Sequence, residues 1–306
     1  MSTADIPVTP DDVERAAERI GGRVRRTPVI EHGDATLKLE LLQHAGSFKP
    51  RGAFNRVLTE PSLPAAGLLA ASGGNHGAAL AFVGQQLGLR VEIFVPSTSP
   101  AIKRANIERF GADVTVIDGY YDDAQREVEQ RQAQTGALMV HPYDHAETIA
   151  GQGTMAKELE EQLGEFDTLV VANGGGGFVA GQAAWFRNRV KIVSVEPELS
   201  QCLRPALQAG ERVPVTVGGI AADSLGAQLG EIAWAISRHF VDEAVLVSDD
   251  DIRAAQKQLW NDLRLVVEPG GAAAYAALMT GMVKLRAGER VVVVLCGSNC
   301  DPVSVV

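Results

Sequence analysis

The sequence predicts an α/β protein built mainly on parallel, twisted sheets flanked by helices. Three observations predict it. Short apolar runs alternate with longer amphipathic segments along the whole chain, which is the order of a parallel sheet with crossover helices. Several runs are unbroken Val/Ile/Leu, as strands buried on both faces require. Most strand-to-helix turns are rich in glycine, and that is where open α/β sheets place ligands.

The strand candidates are 37–39, 68–71, 91–95, 114–117, 138–140, 169–172, 192–195, 244–247 and 291–295. The helix candidates are 10–20, 47–59, 76–87, 100–110, 121–134, 146–163, 177–187, 228–239, 249–263 and 271–280. The chain of 306 residues is long enough for one large or two ordinary domains. It shows no internal repeat, low-complexity tract or linker, so two domains would be interwoven.

Bulk properties exclude several classes. A formal net charge of −10 argues against binding a phosphate backbone, which needs a basic face. There is no apolar run of about 18 residues or more, so no transmembrane helix is expected. The N-terminus is polar and then amphipathic, without the apolar stretch of a signal peptide. The three cysteines, Cys202, Cys296 and Cys300, have no paired metal-site spacing, which fits reduced thiols and a cytoplasmic protein.

Four constellations carry chemistry. Lys49 lies in Gly-Ser-Phe-Lys-Pro-Arg-Gly-Ala at 46–53, where Ser47 can cap a helix and Pro50 fits its first turn. The positive end of the helix dipole would lower its pKa, and such a lysine can form a Schiff base. On position alone a solvated surface lysine is the commoner case. Ser72, Gly73, Gly74, Asn75 and His76 follow an apolar run and precede a helix, an arrangement open to an anion, although Asn75 also reads as an ordinary cap. Gly174, Gly175, Gly176 and Gly177 sit between a strand and a helix, where converging N–H groups can hold a phosphate. The run lacks the Lys-Ser/Thr ending of a P-loop. Cys296 ends the last buried strand, as a structural cysteine also would. Together these supply what a phosphorylated aldehyde cofactor requires.

The ordered set resembles the fold type II pyridoxal-phosphate enzymes, which share the tryptophan synthase β-like fold. Within them it is similar to the threonine/serine dehydratase and serine racemase group. Besides the four constellations, His-Pro-Tyr-Asp at 141–144, Ile-Ala-Gly-Gln-Gly-Thr at 149–154, Val-Glu-Pro at 195–197, Glu-Pro at 268–269 and Cys-Gly-Ser-Asn at 296–299 match in order. The resemblance implies that Lys49 carries pyridoxal 5'-phosphate and is the acid/base at the substrate α-carbon. It implies that Phe48 flanks the ring, that Asn75 contacts its phenolic oxygen and that Gly174 to Gly177 hold the phosphate. Ser72 to His76 would hold the substrate carboxylate, and Cys296 would face the ring nitrogen. A thiol there cannot stabilise a protonated ring as a carboxylate would, which suits β-elimination.

Two departures narrow the reading. The racemases of this group carry a second acid/base serine where this chain has Gly73, so two-sided proton transfer is not expected. The group's divalent-metal site would fall on Glu196, Ser200 and Cys202, and the cysteine makes it doubtful, so no metal is expected; a monovalent ion stays open. The sequence ends just after Cys-Gly-Ser-Asn, so isoleucine control through a C-terminal regulatory domain is not expected.

The expected function is therefore an L-threonine/L-serine dehydratase acting on a small amino acid, without nucleic-acid or membrane partners and as a homodimer. Alternatives are a racemase, a dehydratase of hydroxyaspartate or an aryl-serine, a β-replacement synthase and a non-catalytic binding protein. The expected organisation is a large cofactor domain of 1–67 and 149–306 and a small mobile domain of 68–148.

Overall fold

Four consecutive valines, Val291–Val294, form strand β10, and each is at most 2% exposed. Burying a valine side chain stabilises by about 2 kcal/mol, so such a run belongs in the middle of a sheet covered on both faces. In the computed structural model, which describes residues 6–305, it lies there.

The first sheet has six strands in the order β1-β2-β10-β7-β8-β9: Val29–His32, Ala35–Lys38, β10, Thr168–Ala172, Lys191–Pro197 and Glu243–Val247. All neighbours are parallel except the β1–β2 hairpin. The second sheet has four parallel strands in the order β5-β4-β3-β6: Asp113–Ile117, Val91–Pro96, Leu68–Ala71 and Leu138–Met139. The expected α/β architecture on mainly parallel sheets is the one observed. Each sheet has its own apolar core, the first around β10, β7 and β8, the second around β3, β4 and helix α3 (Asn75–Leu87).

Three elements were not foreseen. Strand β1 offers only two apolar residues, and it pairs because Gly33, at φ 59°, turns the chain back on itself. Helix α8 (Leu203–Ala209) and the short α9 (Ala222–Leu225) lie between 196 and 227, where the sequence offered no element. The helix after Lys49, α2, runs Pro50–Leu58 rather than 47–59. Ser47 does not cap it. Its backbone is extended, pairing with Gly297, and its buried hydroxyl has no partner among the described residues.

The topology gathers the site. Strands β2, β10 and β7 are parallel neighbours, so their carboxyl ends emerge side by side. The loop from β2 leads to Lys49, β10 leads to Cys296, and β7 leads to Asn173 and the glycines. Buried Arg51 braces this region. Its Nε and Nη2 donate to the two oxygens of Glu40 at 2.8 and 2.7 Å, and Nη2 reaches Glu158 at 2.9 Å.

Candidate active site

One cavity is lined by Phe48, Lys49, Asn75, Gly174 to Gly177 and Cys296, all expected, and by Tyr143, Ser224, Leu225 and Glu268, to which the sequence had assigned no role. Ser72, Gly73 and Gly74 form the loop that leads into Asn75, and His76 follows it in the first turn of α3.

Lys49 is half-buried and donates from Nζ to the Pro142 carbonyl at 2.9 Å. Its pKa is pushed down to about 8, with burial the largest cause and the nearby Cys296 and Glu268 opposing it. The cause is therefore desolvation, where the sequence pointed to a helix dipole. Phe48 stacks on Phe178, ring centroids 3.8 Å apart. Cys296 Sγ is 3.6 Å from the Gly270 carbonyl, and burial pushes its thiol well above the usual range, so it is neutral.

The glycine loop has the space and the donors to take a phosphate. A Cβ on Gly175 would stand 2.4 Å from the Tyr143 ring, and one on Gly177 would stand 2.4 Å from the Tyr143 carbonyl. Gly176 has φ 92°, which favours glycine. The N–H groups of Gly174, Gly175 and Gly176 donate to no acceptor among the described residues. They lie just before helix α7 (Gly177–Phe186), whose positive end adds to their pull on an anion.

Around residues 72–76 the side chains are occupied. Ser72 Oγ accepts from the N–H groups of Gly74 and Gly77 at 3.3 and 3.0 Å. His76 is buried and meets the Val140 carbonyl through Nε2 at 2.8 Å; burial, then Lys49, push its pKa down to about 3, so the ring is neutral. A Cβ on Gly73 would fall 1.7 Å from Ser99 Oγ.

Glu196 accepts from the N–H groups of Cys202, Leu203 and Arg204 at 2.8, 2.7 and 2.8 Å, and from Asn173 Nδ2 at 2.9 Å. It thus caps α8. Ser200 is bonded to Gly218, and Cys202 Sγ donates to the Gly174 carbonyl at 2.9 Å. The three residues are tied to backbone and to one another's neighbours.

The profile of the family described as "Pyridoxal-phosphate dependent enzyme" matches residues 21–297. The chain belongs to this family. The cofactor of this pyridoxal-phosphate enzyme is thus pyridoxal 5'-phosphate, and the loop just described fits its phosphate. A putative threonine dehydratase of Sinorhizobium fredii is 37% identical, covering 95% of this chain and 92% of its own. A β-hydroxyaspartate dehydratase of Paracoccus denitrificans is 32% identical, covering 96% of each. The structure of maize serine racemase superposes with a TM-score of 0.91 at 31% identity, over 96% of this chain and 94% of that one. Dehydratases and racemases are thus similarly close to this pyridoxal-phosphate enzyme.

Tyr143 and Glu268 line the cavity without having been expected there, although both lie in the matched motifs. Their signals were the aromatic in His-Pro-Tyr-Asp and a carboxylate next to a helix-starting proline.

Proposed function

We propose that this pyridoxal-phosphate enzyme is an L-threonine/L-serine dehydratase, an ammonia-lyase that releases a 2-oxo acid and ammonia by β-elimination. The observation that carries the proposal is a one-sided acid/base arrangement. Among the described residues, Lys49 is the one amine lining the cavity, and residue 73 on the loop beside it has no side chain.

When bound, pyridoxal phosphate supplies an aldehyde that links to amines and an electron-withdrawing ring that acidifies the α-hydrogen. We assign Lys49 as its attachment point, Gly174 to Gly177 to its phosphate, Asn75 to its phenolic oxygen, Phe48 to its ring and Cys296 to its ring nitrogen. Ser72 to His76 are assigned to the substrate carboxylate, chiefly through the start of α3. With its pKa near 8, Lys49 Nζ exists in part as the free amine at neutral pH and can take the α-hydrogen as a proton. The proton gained at Nζ can go to the departing β-hydroxyl, which leaves as water. One C–H and one C–O bond break, and one C=C and one O–H bond form; the released enamine tautomerises to an imine, and water hydrolyses its C=N bond to give the 2-oxo acid and ammonia. Cys296, being neutral, offers no charge to a protonated ring nitrogen, which favours departure of the hydroxyl as the proton is taken.

The segment 68–148 is proposed as a mobile unit closing over the substrate and excluding water; the separate sheet and core of β3 to β6 support this. The family resemblance supports a homodimer, which sedimentation velocity checks.

A racemase is the second reading, and one observation favours it: the Ser99 hydroxyl occupies the space a side chain at position 73 would fill. Incubation with a panel of β-hydroxy amino acids tests both. The expected outcome is 2-oxo acid from threonine or serine. D-serine in excess of pyruvate, lost in Ser99→Ala, would overturn the first reading for the second.

A further inference from the structure

Asn75 is held at both ends of its carboxamide. Its nitrogen donates to Glu268 Oε1, and its oxygen accepts from Asn299 Nδ2 at 2.7 Å. The nitrogen and oxygen of a carboxamide are assigned from their partners, and here the partners leave no choice. Asn299 Nδ2 also donates to the Ala45 carbonyl at 2.7 Å, and a backbone carbonyl only accepts. Asn299 must therefore present nitrogen to Asn75, and Asn75 must answer with oxygen. At the far end Glu268 meets donors with both oxygens, Asn75 at Oε1 and Lys103 Nζ at Oε2, the latter at 3.2 Å. Burial pushes the Glu268 carboxyl above the ordinary carboxylate range, and the Lys103 ammonium, itself 2.7 Å from Asp223, opposes that only in part.

An Asn nitrogen carries two hydrogens, and Glu268 takes one. We propose that Asn299 and Glu268 are positioning residues that lock Asn75 in one of its two flips, so that its second N–H is delivered into the cavity as the donor to the phenolic oxygen of the cofactor. This rests on the assignment of Asn75 made above. It gives two motif glycines a purpose. A Cβ on Gly46 would stand 2.6 Å from Asn299 Oδ1, and one on Gly297 would stand 1.9 Å from Glu268 Oε1.

The circuit also crosses between the two sheets. Asn75 starts α3, while Lys103 and Asn106 lie one turn apart on α4 (Ala101–Glu108). Asn106 Nδ2 donates to Asn299 Oδ1 at 2.9 Å. Glu268 and Asn299 belong to the segments around the six-stranded sheet. The amide is therefore aimed only while α3 and α4 are docked.

The test uses Asn299→Asp and Glu268→Gln in the holoenzyme. N299D sets an acceptor against the Ala45 carbonyl and the Asn75 oxygen. Three quantities are measured: the absorption spectrum of the bound cofactor, its dissociation constant, and kcat and KM for threonine and serine. The expected result is a shifted absorption maximum and a kcat lower by about tenfold or more, with KM changed far less, since a donor has been misaimed. Should N299D fail to fold, Asn106→Asp places an acceptor against Asn299 Oδ1, and the same shift is expected at smaller size. Variants that match the wild type in spectrum, dissociation constant and kcat overturn the inference while the proposed function stands. A wild-type protein that takes up no cofactor overturns both.

Discussion

Lys49 Nζ and the carbonyl oxygen of Pro142 are 2.9 Å apart, joined by a hydrogen bond that spans 93 residues of sequence. A half-buried amine with one neutral acceptor is poorly compensated as an ammonium. That is why its pKa falls to about 8, within reach of neutral pH.

Replacing Lys49 with alanine should remove both the yellow colour of the cofactor adduct and the release of 2-oxo acid. Absorption spectroscopy and a coupled 2-oxo acid assay check it. A Lys49→Ala protein that keeps colour and turnover would falsify the assignment of the cofactor lysine.

The same amine sets a pH dependence. The nucleophile is the free base, so its population grows as pH rises towards the pKa. The rate at which cofactor-free protein takes up pyridoxal phosphate should climb about tenfold per pH unit below about 8 and level off above it. Stopped-flow colour development across pH reads this directly, and a flat profile would contradict it.

Arg51 is 1% exposed and Glu40 is fully buried. Arg51→Leu leaves the Glu40 carboxylate without its bidentate partner and should lower stability by about 3–5 kcal/mol, read from urea unfolding. Burial raises the Glu40 pKa, but the Arg51 guanidinium, helped by Lys38 and Thr27, outweighs it and the net direction is down. A carboxyl held below its unfolded value contributes stability above the ordinary carboxylate range and loses it as pH falls through its folded value. The difference between wild type and Arg51→Leu should accordingly shrink in acid.

Gly175→Ala drives a methyl group to within 2.4 Å of the Tyr143 ring. The loop must deform, and cofactor affinity should fall by about tenfold or more, the cost of displacing several converging donors. Adding Tyr143→Ala removes the obstruction and should recover part of that loss. Cofactor titration of the two single variants and the double variant checks the coupling; strict additivity would count against it.

What could be read from the sequence is what a short segment determines by itself. The valines of β10 can only be a buried strand, and the four glycines after β7 are open to an anion in any α/β setting. The lysine, the asparagine, the glycine run and the cysteine all reached one cavity because each ends a strand or begins a helix, and parallel sheets bring those ends together. Burial is different, since it is decided by remote packing. The sequence named a helix dipole for Lys49 where desolvation prevails, and a capping role for Ser47 where the chain is extended. The Asn299–Asn75–Glu268–Lys103 circuit joins residues up to 224 positions apart, and no local pattern announces it. Strand β1 was invisible because its pairing depends on β2 and not on its own side chains.

The three thiols lie at graded depths. Cys202 and Cys296 are buried, and Cys300 is only partly so, its thiol pushed up to about 11 mainly by burial. None is ionised to any extent at neutral pH, so an alkylating reagent meets a protein that is inert until it breathes. Cys300 should be tagged first. Cys296 should follow only when the cavity opens, and Cys202 only when the loop beneath the glycines lets go. The order of labelling is a built-in clock for how far the molecule has come apart.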